Sequence, residues 1–129
     1  MLPDLEVLND LLVDGINIKL MLEKINKRVE YLYDRDHTIG HAYFMSLKDN
    51  ETLEELENIL RNKIIPLLQE YFYDDWEKIL MVLGNGFILK EKVEPKNIFD
   101  EEYVKDSEYI EEKKSVYKIK NKFDFSSFK

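Results

Sequence analysis

His37 and His41 stand four positions apart, with Asp34 and Asp36 just ahead of them. On one helix, side chains at i and i+4 share a face, so this pair can offer two imidazoles to a single metal ion. Gly40 interrupts such a helix between them, and the spacing alone is not specific to metal sites. The plainer expectation is that His37 caps a turn, that His41 packs at a helix start and that no metal is bound. A second constellation is Glu70-Tyr71-Phe72-Tyr73-Asp74-Asp75-Trp76. Asp74 and Asp75 carry the groups for acid/base or Mg²⁺ chemistry, but adjacent side chains diverge rather than converge on one substrate atom. Here the expectation is helix capping by the acids and packing by the rings. Tyr71, Tyr73 and Trp76 are then candidates for a protein contact, where aromatic residues are enriched.

The chemistry that is missing is equally informative. No Gly-x-x-x-x-Gly-Lys-Ser/Thr phosphate loop occurs, so the chain has no standard cradle for a triphosphate. No serine sits in a Gly-x-Ser-x-Gly elbow. The absence of cysteine excludes disulfides, thiolate zinc sites and cysteine nucleophiles. No catalytic residue is assigned, and no activity is expected of this chain alone.

Composition bounds the partners. The 129 residues carry 19 basic and 27 acidic side chains, a net charge of −8, which argues against a surface built to neutralise phosphates on nucleic acid. Acids and bases are interspersed, whereas a protein mimicking DNA would need long rows of unpaired carboxylates. Apolar residues make up 44% of the chain, too many for a disordered acidic tail. No apolar run approaches the length of a membrane span and no signal peptide opens the sequence. The expectation is a soluble, cytoplasmic protein with no direct nucleic-acid or membrane binding.

Helices must position these residues, since only four Gly and three Pro punctuate the chain. Pro3 suits the first turn of a short helix carrying Leu5, Leu8, Leu11 and Leu12, which Gly15 would end. Asn17 can cap a longer helix whose stripe is Ile18, Leu22, Ile25, Val29 and Leu32. Asp36 or Thr38 can cap a short helix bearing Ile39, Ala42, Tyr43 and Met45, with Gly40 in its first turn as a hint that something approaches the backbone. Thr52 and Glu55 form a capping box before Leu53, Leu56, Ile59 and Leu60. Pro66 should break or kink that helix near Lys63. Asp74 is a candidate cap for a helix through Trp76, Ile79, Leu80 and Leu83, stopped at Gly84. Beyond residue 86, Phe87-Ile88-Leu89 and Val116-Tyr117-Lys118-Ile119-Lys120 read as strands of a small antiparallel ribbon, and residues 121–129 as a loosely held aromatic tail. The fold class expected is mainly α, a small helical bundle over residues 1–89. A second part, 90–129, would hold a charged connection, the short β-ribbon and the tail.

Three stretches in this order resemble a known family. They are Leu22-x-x-Ile25-Asn26-x-Arg28-Val29-Glu30, then Asp34-Arg35-Asp36-His37-x-Ile39-Gly40-His41-x-Tyr43-Phe44, then Ile65-Pro66-Leu67-Leu68-Gln69-Glu70 running on through Trp76. They resemble the C-terminal region of the McrB family, the GTP-hydrolysing AAA+ motor subunits of 5-methylcytosine-specific restriction enzymes. The resemblance covers residues 2–89 and implies the small helical lid of an AAA+ module. In that family the phosphate loop, the Walker B acids, the sensor Asn and the arginine fingers precede the region where this chain starts. The resemblance therefore implies GTP and Mg²⁺ as cofactors of a parent protein rather than of this chain. It implies as partners the rest of the AAA+ core, further motor subunits in a ring and a nuclease subunit. It also implies that Gly40 and His41, with Arg35 as the nearby cation, lie close to the nucleotide. An alternative is a free-standing interaction protein that docks on, or inhibits, a restriction motor ring.

Overall fold

The computed structural model describes residues 8, 11–106 and 114–128. The expected first helix lies mostly outside these residues, but its end does not survive. Leu12–Val13 (β1) and Ile16–Asn17 (β2) pair antiparallel instead. Asp14 and Gly15, with φ of 50° and 81°, form the turn between them. Two consecutive positive φ values are what a tight type I′ hairpin demands, and Asp-Gly meets that demand at low cost. Leu12 is thereby left exposed while Val13 and Ile16 are buried.

The chain passes straight from β2 into α1, Ile18–Leu32, where Asn17 accepts a bond from the Leu20 amide. Its stripe is buried from Ile18 to Val29 as periodicity predicts, widened by Met21 and Asn26, with Leu32 partly buried at the end. Two 3₁₀ turns follow, Arg35–His37 and His41–Lys48. Helix α2, Leu53–Ile59, starts at Thr52, whose hydroxyl accepts from the Glu55 amide at 3.2 Å.

Pro66 interrupts the regular α-helix near Lys63 as expected, but through a π-turn rather than a full break. Leu60–Ile64 widens into a π-turn, in which the Ile65 amide reaches back to the Leu60 carbonyl, and α3 continues as Ile65–Tyr71. A proline lacks the amide for one helical bond and crowds the carbonyl four residues back. The extra residue in the π-turn accommodates both problems, so helical hydrogen bonding continues past the proline. Tyr73 and Asp74 then take φ of 51° and 61° to reverse the chain. Asp75, rather than Asp74, caps α4, Trp76–Leu83. Gly84 ends it with φ 97°.

The ribbon forms as expected and is longer. Ile88–Val93 (β3) pairs antiparallel with Lys114–Ile119 (β4) in the register Ile88 to Ile119 through Val93 to Lys114. Between them lie a 3₁₀ turn at Pro95–Asn97 and α5, Glu101–Asp106. Glu77 on α4 accepts from both the Tyr117 hydroxyl and Lys90 Nζ, the latter at 3.1 Å, and so ties the two strands to the helical body.

The expectation of a loosely held tail is corrected. Phe123, Phe125 and Phe128 are each at least nine-tenths buried and pack around the fully buried Phe87, with ring centroids 5.1, 5.0 and 5.8 Å away. The Asp124 amide donates to the Gly86 carbonyl, and a Cβ on Gly86 would collide with the Asp124 backbone carbonyl oxygen. Arg61 lies 4.4 Å over the Phe123 ring and donates to the Asn121 carbonyl. Lys24 and Arg28 sit over Phe128. Three rings, three cations and one glycine hold the tail as part of the core.

Candidate functional site

The segment between α1 and the second 3₁₀ turn carries the chemistry singled out in the sequence. Asp34 starts the first 3₁₀ turn, accepting from both the backbone amide and Nδ1 of His37. That bond from His37, ahead of every other influence, holds the Asp34 carboxyl below the usual carboxylate range. The His37 ring stacks on Tyr33 at 4.2 Å and meets Tyr71 edge-on at 5.1 Å. Tyr33 also approaches Phe72 at 5.9 Å. Desolvation among these rings is the largest cause pushing both the Tyr33 and Tyr71 hydroxyls upward, with neighbouring negative charges adding to it. His37 therefore belongs to an aromatic cluster joining the end of α1 to the end of α3.

The next step along the chain is fixed by a residue whose role the sequence reading missed. Asn26, 7% exposed, interrupts the apolar stripe of α1. Its side chain donates to the Ile39 carbonyl at 2.9 Å and accepts from the Ile39 amide at 2.6 Å. Both backbone groups of a fully buried residue are thus satisfied by one amide side chain, which pins the strand-like link 38–40 onto the helix. A single Asn among Leu22, Ile25 and Val29 was the visible signal, because a polar group on a buried stripe needs partners.

Gly40 then serves as N-cap of the turn His41–Lys48 with φ −78° and ψ 158°, and no side chain caps that turn. This corrects the expectation that Asp36 or Thr38 would cap it, and that Gly40 would lie inside its first turn. Among the described residues nothing demands glycine at 40, since an added Cβ would meet none of their atoms within 4 Å. His41 Nδ1 is buried without a hydrogen-bond partner among the described residues. Arg35 is exposed on the preceding turn. The structure thus brings Gly40 and His41 to one uncapped helix start.

Asp34 accepts from His37 Nδ1, so that nitrogen is not open to a ligand shared with His41. Among the described residues no three His, Asp or Glu side chains converge as a metal site. Of the three candidate contact residues, Tyr73 is 86% exposed. Tyr71 and Trp76 are half-buried against the core.

A mainly helical body with an uncapped turn start held against α1, and a small ribbon beyond it, is consistent with a small helical lid domain. The comparison with known families is specific about the kind. Residues 17–80 match the family model of the McrB alpha-helical lid domain, about half the chain, from the cap of α1 into α4. This segment is a McrB-type lid domain, and the protein is related to the McrB-like AAA+ proteins. No curated protein matches the chain. The rest of α4, the ribbon and the phenylalanine tail lie beyond the matched segment.

Proposed function

We propose that the chain is the lid of a McrB-like AAA+ GTPase motor in a methylated-DNA restriction system. It closes over nucleotide held by an AAA+ core, packs on neighbouring motor subunits and has no activity alone. The observation that carries this reading is the helix start at Gly40-His41. Its first amides receive no side-chain cap, His41 Nδ1 is buried with no partner among the described residues, and the Asn26 bonds to Ile39 hold the segment in place. A helix start of this kind favours an anion such as phosphate. Gly40 lets a ligand approach the backbone closely, and Arg35 supplies a cation on the adjacent turn. The core and lid then rotate as rigid bodies with nucleotide state.

Calorimetric titration with a GTP analogue and Mg²⁺ tests the proposal, run on the chain alone and with a McrB-type core domain supplied in trans. Silence alone and tighter binding by the core once the chain is added support a lid. Binding by the chain alone sinks it. Gly40→Ala adds a check on the site, because the structure has room for the methyl group. Stability should change by less than about 0.5 kcal/mol while binding in the mixed assembly weakens.

A further inference from the structure

One face of this acidic protein is basic. Between α1 and α4 lies a groove of about 270 Å³ lined by Lys24, Lys27, Arg28, Tyr31, Leu32 and Met81. Tyr31 is 90% exposed and Met81 55% exposed, so the groove offers apolar walls as well as charge. Among the described residues the three cations have no carboxylate partner. Lys24 donates to the Ser127 carbonyl and Arg28 to the Val82 carbonyl, both uncharged. The same molecule carries the complement. In the connection between the ribbon strands, Ile98, Phe99 and Tyr103 are 63%, 49% and 54% exposed. Asp100 and Glu102 stand exposed among them. Large apolar side chains bared beside carboxylates fit a groove of apolar walls beside cations.

We infer that the groove between α1 and α4 receives the Ile98–Tyr103 segment of a second copy of this chain. The contact pairs two different patches, so it is heterologous and propagates head to tail, as a ring or a chain of copies rather than a closed pair. Phe99 or Tyr103 fills the apolar floor between Tyr31 and Met81. Asp100 and Glu102 face Lys24, Lys27 and Arg28, whose carbonyl and ring contacts keep two of the cations in place. This inference uses none of the residues assigned to nucleotide and stands or falls separately from the lid reading.

Sedimentation of the full chain without nucleotide, with two surface variants, tests it. Wild type should associate with rising concentration at about 0.05 M salt, and the association should weaken roughly tenfold at about 0.5 M salt as the charges are screened. Lys27→Glu damages the groove, and Phe99→Asp damages the inserted segment. Each should be monomeric alone and keep the wild-type circular dichroism spectrum. Mixed in equal amounts, they should form a one-to-one dimer, since each still carries one intact half. A wild-type chain that stays monomeric at roughly millimolar concentration overturns the inference, and leaves an acidic segment of another protein as the groove's occupant. Association that persists in either variant alone also overturns it, as does a mixture that stays monomeric. Tyr31→Asp serves as a second groove variant if Lys27→Glu alters the fold.

Discussion

Asn26 and Asp34 show how single side chains set the geometry of the candidate site. Asn26 satisfies both backbone groups of Ile39, so replacing it strands a buried amide and a buried carbonyl. Asn26→Leu should lower stability by about 2–4 kcal/mol in urea unfolding, and should speed hydrogen exchange at the Ile39 amide more than elsewhere in the segment. Unchanged exchange at Ile39 would show that water replaces the side chain. Asp34 gives the site a dependence on acid. Its carboxyl is held below the ordinary range chiefly by the bond from His37. A depressed carboxyl pKa means that the turn gains stability above the unfolded value and loses it as pH falls through the folded one. Carbon NMR of the Asp34 carboxyl should therefore inflect below a free aspartate, and the Tyr33 and His37 ring signals should move in the same range. Asp34→Asn should abolish that movement, and an inflection at or above the free value would remove the pair from the account.

Elements are joined here by a few polar clamps and one tight backbone approach. The carboxylate of Glu77 is shared by Tyr117 and Lys90, and these bonds, Tyr117 first, hold it below its usual range. The groups are exposed, so the clamp orients the ribbon more than it stabilises the fold. At Gly86 the argument is steric. Any side chain there collides with the Asp124 carbonyl, which is backbone and cannot swing away. Gly86→Ala should cost about 1–3 kcal/mol and should make the tail a site of limited proteolysis, whereas Gly40→Ala should do neither. Equal protease resistance of Gly86→Ala and wild type would show that the tail shifts as a unit without leaving Phe87. The contrast between the two glycines separates one that the fold itself requires from one that no contact among the described residues explains.

Across the whole molecule, the tail extends the helical core beyond the segment that matches the McrB lid. Phe125 touches Phe87 ring to ring and is 4% exposed. Phe125→Ala should lower stability by about 3 kcal/mol, measured by denaturant unfolding, with one cooperative transition for helices and ribbon alike. Two separate transitions would show that residues 81–128 fold apart from the lid. The same packing has a consequence for assembly. Phe128 and Ser127 engage Lys24 and Arg28, two of the cations that line the basic groove, so the placement of those cations depends on the tail.

Much of this was legible before any coordinates. The burial of Ile18, Leu22, Ile25 and Val29, the caps at Asn17 and Thr52, the stop at Gly84 and the ribbon of β3 and β4 all follow from patterns within a few residues or from simple alternation. Such features depend on local propensity, hydrogen bonding within a turn and one-sided hydrophobicity, all of which are written in order along the chain. The errors fell where two local solutions compete closely. Asp74 and Asp75 can each cap a helix, and Asp-Gly can end a helix or turn a hairpin. Packing against the rest of the molecule chose between them. At Pro66 the sequence marked the irregularity, and only the fold showed that it takes the form of a π-turn. The contacts that build the site and the groove lie further apart still: Asn26 with Ile39, Arg28 with Val82, Arg61 with Asn121, and Gly86 with Asp124. No periodicity announces a bond between residues far apart in sequence, because it exists only once the intervening chain has folded and brought the partners together.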